Sequence, residues 1–143
     1  MADKVVDSSV GWVARHINSY VDTDGKSGHR FHGVEALLLT TRGRRSGALR
    51  RTALYYGTWD GDYVLVASNG GSVGHPLWYR NLVADPRVTV QVKDDVFDAV
   101  ARTAAGEERA ALWDRMVGIC PKYAQYQAMV QREIPVVVLT RSA

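Results

Sequence analysis

Five arginines fall within ten residues, at Arg42, Arg44, Arg45, Arg50 and Arg51. Guanidinium groups bind phosphate and carboxylate bidentately, so such a cluster carries the chemistry of an anion site. Gly43 and Gly47 interrupt it, and a glycine-containing turn adds exposed backbone N–H groups that favour the same ligand. Taken alone, the cluster is equally compatible with a solvated turn. A second turn, Ser68-Asn69-Gly70-Gly71, follows Val66 and Ala67, and its glycines permit close backbone approach to a ligand. In a third segment, His75-Pro76-Leu77-Trp78-Tyr79-Arg80-Asn81-Leu82, Trp78 and Asn81 stand three apart, which puts them on one helical face. A flat ring system could lie against Trp78 while Asn81 bonds its edge. On its own, Trp78 reads as core.

Other reactive side chains are scattered. The four histidines (His16, His29, His32 and His75) and the single cysteine form no C-x-x-C or other zinc-ligand pattern. Cys120 reads as a small buried hydrophobe rather than a nucleophile. His75 reads as a helix-start residue rather than a base. Tyr123 and Tyr126, also three apart, are compatible with an ordinary helix face, and equally with hydroxyls offered to a substrate beside Pro121.

Composition bounds the rest. The 143 residues fit one domain, and 46% hydrophobic with 23% charged residues is ordinary for a soluble globular chain. The net charge of +3 is local rather than global. The short basic patch lacks an array of exposed aromatics, so no nucleic-acid partner is expected. No run approaches a membrane span, no secretory pattern opens the chain, and one cysteine fits a reducing cytoplasm.

These segments must be positioned by regular elements. Val6, Val10, Val13, Ile17 and Tyr20 recur at helical spacing and predict an N-terminal amphipathic helix. It could dock on its own core, on a second copy in a homodimer, or peripherally on a membrane, although it lacks a strong basic bias. Residues 22–33 read as loop. Strands are expected over 34–41, 50–57, 62–68, 87–93, 96–103 and 134–140, with Asp60-Gly61 as a hairpin turn. Helices are expected over 75–84, from a Thr103 cap to Gly118, and over 123–132. Hairpin links dominate, which favours an antiparallel barrel over a doubly wound parallel sheet.

The order and spacing of these motifs, with the closing Arg132-Glu133-Ile134-Pro135-Val136-Val137-Val138-Leu139 run, resemble the deazaflavin (F420)-dependent nitroreductase family of actinobacteria. That family includes F420H2-dependent quinone, nitro and enone reductases. The likeness runs from about Val34 to the end. It implies a mainly β (α+β) split β-barrel, like that of FMN-binding proteins, over 34–143, preceded by the helix and loop of 1–33. It also implies hydride transfer from reduced F420 to a small acceptor: a quinone, an enone such as an unsaturated lactone, or a nitroaromatic.

Residue by residue, the resemblance places Arg44, Arg45 and Ser46 on the phosphate and glutamate tail of F420. Arg50, Arg51, Thr52, Ala53, Leu54 and Tyr55 would form the strand beneath the coenzyme. Val66, Ala67, Ser68 and Asn69 would flank the deazaflavin ring. Leu77, Trp78, Tyr79, Arg80 and Asn81 would wall the groove, and Tyr123 and Tyr126 would line the substrate side. Ser68, Tyr55, Tyr123 and Tyr126 are the candidates to polarise the acceptor or relay a proton. No metal is implied. Asn69 stands where the family usually has lysine, Ala53 where proline is common, and Cys120 where a nitro-reducing relative has tyrosine. Alternatives are an FMN-dependent split-barrel oxidoreductase and a non-catalytic F420 carrier or sensor.

Overall fold

Alternating apolar residues in the strands need cover on both faces, and among the described residues four α-helices supply it around one sheet. A computed structural model describes residues 5–8, 11–31 and 34–142, with Phe31 described by its backbone alone. The elements are β1 (Val5–Asp7), α1 (Gly11–Asp22), β2 (Arg30–Phe31), β3 (Val34–Arg42), β4 (Leu49–Tyr55), β5 (Gly57–Trp59), β6 (Asp62–Val66), α2 (Leu77–Ala84), β7 (Arg87–Val92), β8 (Asp95–Thr103), α3 (Gly106–Ile119), α4 (Lys122–Met129) and β9 (Val136–Arg141). Hydrogen-bonded neighbours run β1-β4-β3-β7-β8-β9-β6-β5, with β2 paired to β3. Every ladder is antiparallel except β1 on β4.

The fold is mixed α+β, with a sheet whose end strands are not joined among the described residues. Yet β4 and β6 touch, although they stand second and seventh along the path. In a flat sheet five spacings would separate them by about 24 Å, so the sheet curls back on itself.

Period-two alternation divides the core. Leu37 and Leu39 of β3, Leu65 of β6, Val88 and Val90 of β7, and Val137 and Leu139 of β9 share one cluster, capped by Leu82 of α2. The other face carries Val64, Val66, Val136 and Val138 beneath α3 and α4. Leu38, on that same face, packs with Val13, Ile17 and Tyr20 of α1.

Local chemistry explains the hairpin between β5 and β6. Asp60 and Gly61 both adopt positive φ, at 52° and 84°, the geometry that Asp-Gly supplies to a two-residue turn.

Four expectations need correction. Val6 lies in β1, paired with Arg50, and α1 begins only at Gly11; Val10 lies outside the described residues. The helical spacing was real, but three residues gain a strand partner in β4. Residues 30–31 are not loop but pair with Val34 and Glu35. Residues 50–57 are two strands rather than one, because the chain changes partner at Tyr56, from β3 to β6. Tyr56 anchors the break by donating its hydroxyl to Glu35 at 2.9 Å. Finally, Thr103 ends β8 and bonds the Tyr79 hydroxyl at 2.9 Å, while Ala105 takes the cap position of α3.

The apolar face of α1 is spent on its own sheet. Its outward residues include the polar Arg15, Asn18, Ser19 and Asp22 and one apolar ring, that of Trp12, which is 55% exposed. No helix among the described residues is long and apolar enough to cross a membrane.

Candidate coenzyme and acceptor site

The arginine turn is built by its own backbone. Gly43 and Gly47 exchange bonds within it, Gly43 N–H to Ala48 O at 2.7 Å and Gly47 N–H to Gly43 O at 2.8 Å. Arg42 donates to Gly47 O at 2.7 Å and closes the loop from below. Arg44, Arg45, Ser46 and Arg50 are left exposed. Among the described residues no carboxylate pairs with Arg44, Arg45 or Arg50.

Arg51 is different. It points to the face away from Arg50, and Asp7 of β1 grips it bidentately at 2.6 and 3.2 Å. That pairing joins residues 44 apart and had no local signal. Arg51 is therefore occupied within the protein, whereas its neighbours are available.

Asn81 takes a role that its sequence position did not suggest. It is buried, accepts from the Arg44 N–H at 3.2 Å, and donates to Thr41 Oγ1 at 3.2 Å. It brackets α2 to the arginine turn. Trp78, on the same helix, packs against the inner core and meets Tyr79 edge-on, with ring centroids 6.3 Å apart. Leu77 and Arg80 face solvent.

The helix α2 is entered from the second turn. Asn69, Gly70 and Gly71 all have positive φ. Asparagine is among the few side chains that tolerate this region, and Asn69 uses it to donate to Gly74 O at 3.0 Å. At Gly71 a Cβ would meet Met129 Sδ at 3.1 Å and Tyr126 at 3.2 Å, so glycine is what lets α4 close on the turn. Val66, Ala67 and Ser68 are buried behind it.

The tyrosines gather at the far end of β4. Tyr55, Cys120, Tyr123 and Tyr126 are electrostatic neighbours. Burial first, then the neighbouring groups, pushes the Tyr55 phenol up. The same causes act more strongly on Tyr123, which is only 5% exposed in the cluster under α3 and α4. Both phenols are neutral hydrogen-bond donors and weak acids. Cys120 is buried, as its type suggested.

β4 links the two ends. Arg50 and Tyr55 are five residues apart, about 17 Å along a strand. Alternation puts Thr52 and Leu54 on one face and Ala53 and Tyr55 on the other. β1 covers only Leu49, Arg50 and Arg51 of β4, so among the described residues Thr52–Tyr55 is laddered on one side alone. A ligand along that open edge meets backbone groups and side chains of both faces.

A concavity of about 430 Å³ also opens at the base of the arginine turn, lined by Arg42, Leu49, Asp85, Arg87 and Asp98. Its two arginines are balanced by two carboxylates, Arg87 being paired with Asp85, and none of Tyr55, Ser68 and Tyr126 lines it.

The chemistry is decided by kinship. The family model described as F420H(2)-dependent quinone reductase matches residues 12–141. The chain belongs to this family. It is 38% identical over 144 aligned positions to an F420H(2)-dependent quinone reductase of Mycobacterium tuberculosis, covering 91% of this chain and 96% of that one. A solved F420-H2 dependent reductase (FDR-A) is similar at 42% identity and a TM-score of 0.68, over 73% of this chain and 93% of that one. A second solved chain, described as a domain-swapped dimer, is similar at 37% identity and a TM-score of 0.70, over 93% and 100%.

As a member of the quinone reductase family, the protein is an oxidoreductase that uses reduced F420 as hydride donor on a small-molecule substrate. The residues present suit that coenzyme. An anionic tail needs cations without internal partners, and among the described residues no carboxylate pairs with Arg44, Arg45 or Arg50. A planar ring needs close backbone approach, and the open β4 edge beside the glycine turn allows it.

Proposed function

We propose that F420H2 lies along the edge of β4 that no strand among the described residues pairs beyond Arg51, with its tail on Arg44, Arg45, Ser46 and Arg50 and its ring beside Ser68 and Asn69, and that the favoured acceptor is a quinone. The observation that carries this reading is one strand, about 17 Å from Arg50 to Tyr55, with cations that no carboxylate among the described residues pairs at one end and a neutral phenol at the other. When bound, the reduced coenzyme supplies the hydride, and the protein supplies orientation and electrostatics.

Tyr55 and Tyr126 are placed to donate hydrogen bonds to an acceptor oxygen as negative charge develops on it. The Tyr55 phenol, pushed up by burial, stays protonated at neutral pH, so solvent delivers the final proton. Tyr123 supports them from the core, and Trp78 holds α2 against the sheet. The curled, unclosed sheet supports reading the fold as a split barrel.

Steady-state oxidation of reduced F420 is the test. The expected order of kcat/KM is quinone above enone and nitroaromatic, with FMN binding more weakly than F420. A preference for the nitroaromatic, or tighter FMN binding, would overturn the respective assignment.

The likeness to a chain described as a domain-swapped dimer supports pairing of two copies. Sedimentation equilibrium is expected to give twice the 15.8 kDa chain mass. A monomer mass at all concentrations would remove that reading.

A further inference from the structure

Arg132 belongs to the link between α4 and β9, outside every segment assigned to the coenzyme. Its half-buried side chain reaches back to residues more than 55 positions earlier in the chain. Nε donates to Ser72 O at 3.1 Å, and one terminal nitrogen donates to Ser68 O at 2.9 Å. The other reaches Ala67 O at 3.4 Å and donates to His75 Nδ1 at 3.0 Å. Four of the guanidinium's five N–H groups are thus engaged by one loop. The cation is spent on that loop and has no fork left for a phosphate, unlike Arg44 and Arg45.

We propose that Arg132 is a positioning residue of the F420 site: its guanidinium draws the carbonyls of Ala67, Ser68 and Ser72 together and thereby sets the shape of the turn that flanks the coenzyme ring. The proposal rests on the siting of the ring beside Ser68 and Asn69. Three carbonyl dipoles converging on one point repel one another unless a cation sits among them. A planar fork satisfies them together, whereas a lysine ammonium offers its donors from one point.

The clamp is itself clamped. Gln127 of α4 donates to Arg132 O at 2.8 Å and accepts from the Ile134 N–H at 2.9 Å. The same helix packs Met129 and Tyr126 against Gly71. Arg132 therefore couples the acceptor-side helix to the ring-side turn.

His75 reports on the clamp. A guanidinium can only donate, so His75 Nδ1 is the acceptor and the ring carries its proton on Nε2. The groups facing this ring are Arg132, Arg80 and the Tyr79 ring, 5.0 Å away. Burial and then the two cations hold His75 below the usual histidine range.

The test compares full-length wild type with Arg132→Lys, Arg132→Ala and Gln127→Leu. F420 fluorescence titration and nitrogen NMR of His75 are the readouts. Loss of a set of charge-assisted bonds is expected to raise the F420 Kd about tenfold or more in both Arg132 variants, with a smaller rise in Gln127→Leu. Millimolar guanidinium, far below denaturing levels, is expected to restore binding to Arg132→Ala. It is not expected to restore an Arg44→Ala/Arg45→Ala variant. The His75 signal moves to a tautomer mixture in Arg132→Ala, and its titration midpoint rises because a facing cation is gone.

A folded Arg132→Lys with wild-type Kd overturns the proposal, as does a loss that guanidinium does not relieve. If Arg132→Ala fails to fold, an unchanged Kd and His75 spectrum in Gln127→Leu overturns it equally. Should Arg44→Ala/Arg45→Ala bind normally while Arg132→Lys does not, the tail siting fails and the clamp stands. The reverse pattern sinks the clamp alone.

Discussion

Replacing Arg44 and Arg45 together by alanine is expected to weaken F420 binding by about a hundredfold and to leave the unfolding temperature unchanged. Both side chains are exposed, and no carboxylate among the described residues pairs with either. Removing them therefore breaks nothing that holds the fold. Each would form a charge-assisted bond to the anionic tail, worth about 1.5–3 kcal/mol. Two such losses amount to roughly 3 kcal/mol or more, which is about two decades in Kd. Arg51→Ala is the internal contrast. It removes the bidentate Asp7 contact, so stability is expected to fall while coenzyme affinity changes less. Fluorescence titration and thermal unfolding of the variants check both statements. Wild-type affinity in the double variant would remove the arginine turn from the site.

Asn81→Leu is expected to cost both stability and affinity. The substitution keeps the number of side-chain heavy atoms but leaves Thr41 Oγ1 without its donor and the Arg44 N–H without its acceptor. Thr41 is 1% exposed, so water does not readily replace the lost partner. Leaving buried polar groups unsatisfied costs about 1–3 kcal/mol each, and a domain of this size loses about 3 °C per kcal/mol. The unfolding temperature should therefore fall by about 6 °C or more. The arginine turn, released from α2, should also bind F420 on the order of tenfold less tightly. Asn81→Asp keeps the acceptor for the Arg44 N–H and should retain more affinity than Asn81→Leu. A thermal midpoint within about 1 °C of wild type would show that the bracket contributes nothing.

The two variants separate residues proposed to touch the ligand from a residue that holds their turn in place. Arg44 and Arg45 stood out in the sequence because charge density and glycine spacing are local properties. The sequence offered Asn81 as a ligand contact but did not show it as a bracket. Its neighbours on α2 suggested a ligand face, whereas its partners lie 37 and 40 residues away. The departure at Asn69 gained a reason only from the backbone. Its positive φ and its bond to Gly74 suit asparagine's short amide.

The sequence by itself determined the family, the coenzyme and most of the elements. Those rest on patterns within a few residues: alternation in β3, β7 and β8, the Asp60-Gly61 turn, the stripe Val13-Ile17-Tyr20, and the order of the three glycine and arginine motifs. Only the tertiary structure decided which polar groups are free and which are spent. Arg51 is taken by Asp7, Asn81 by Thr41 and Arg44, and Arg132 by the loop around Ser68. The arginines of one cluster look alike in sequence because their charge is identical. They separate in the fold because burial makes a polar group find a partner, and the partner is chosen by strand register and helix packing across dozens of residues.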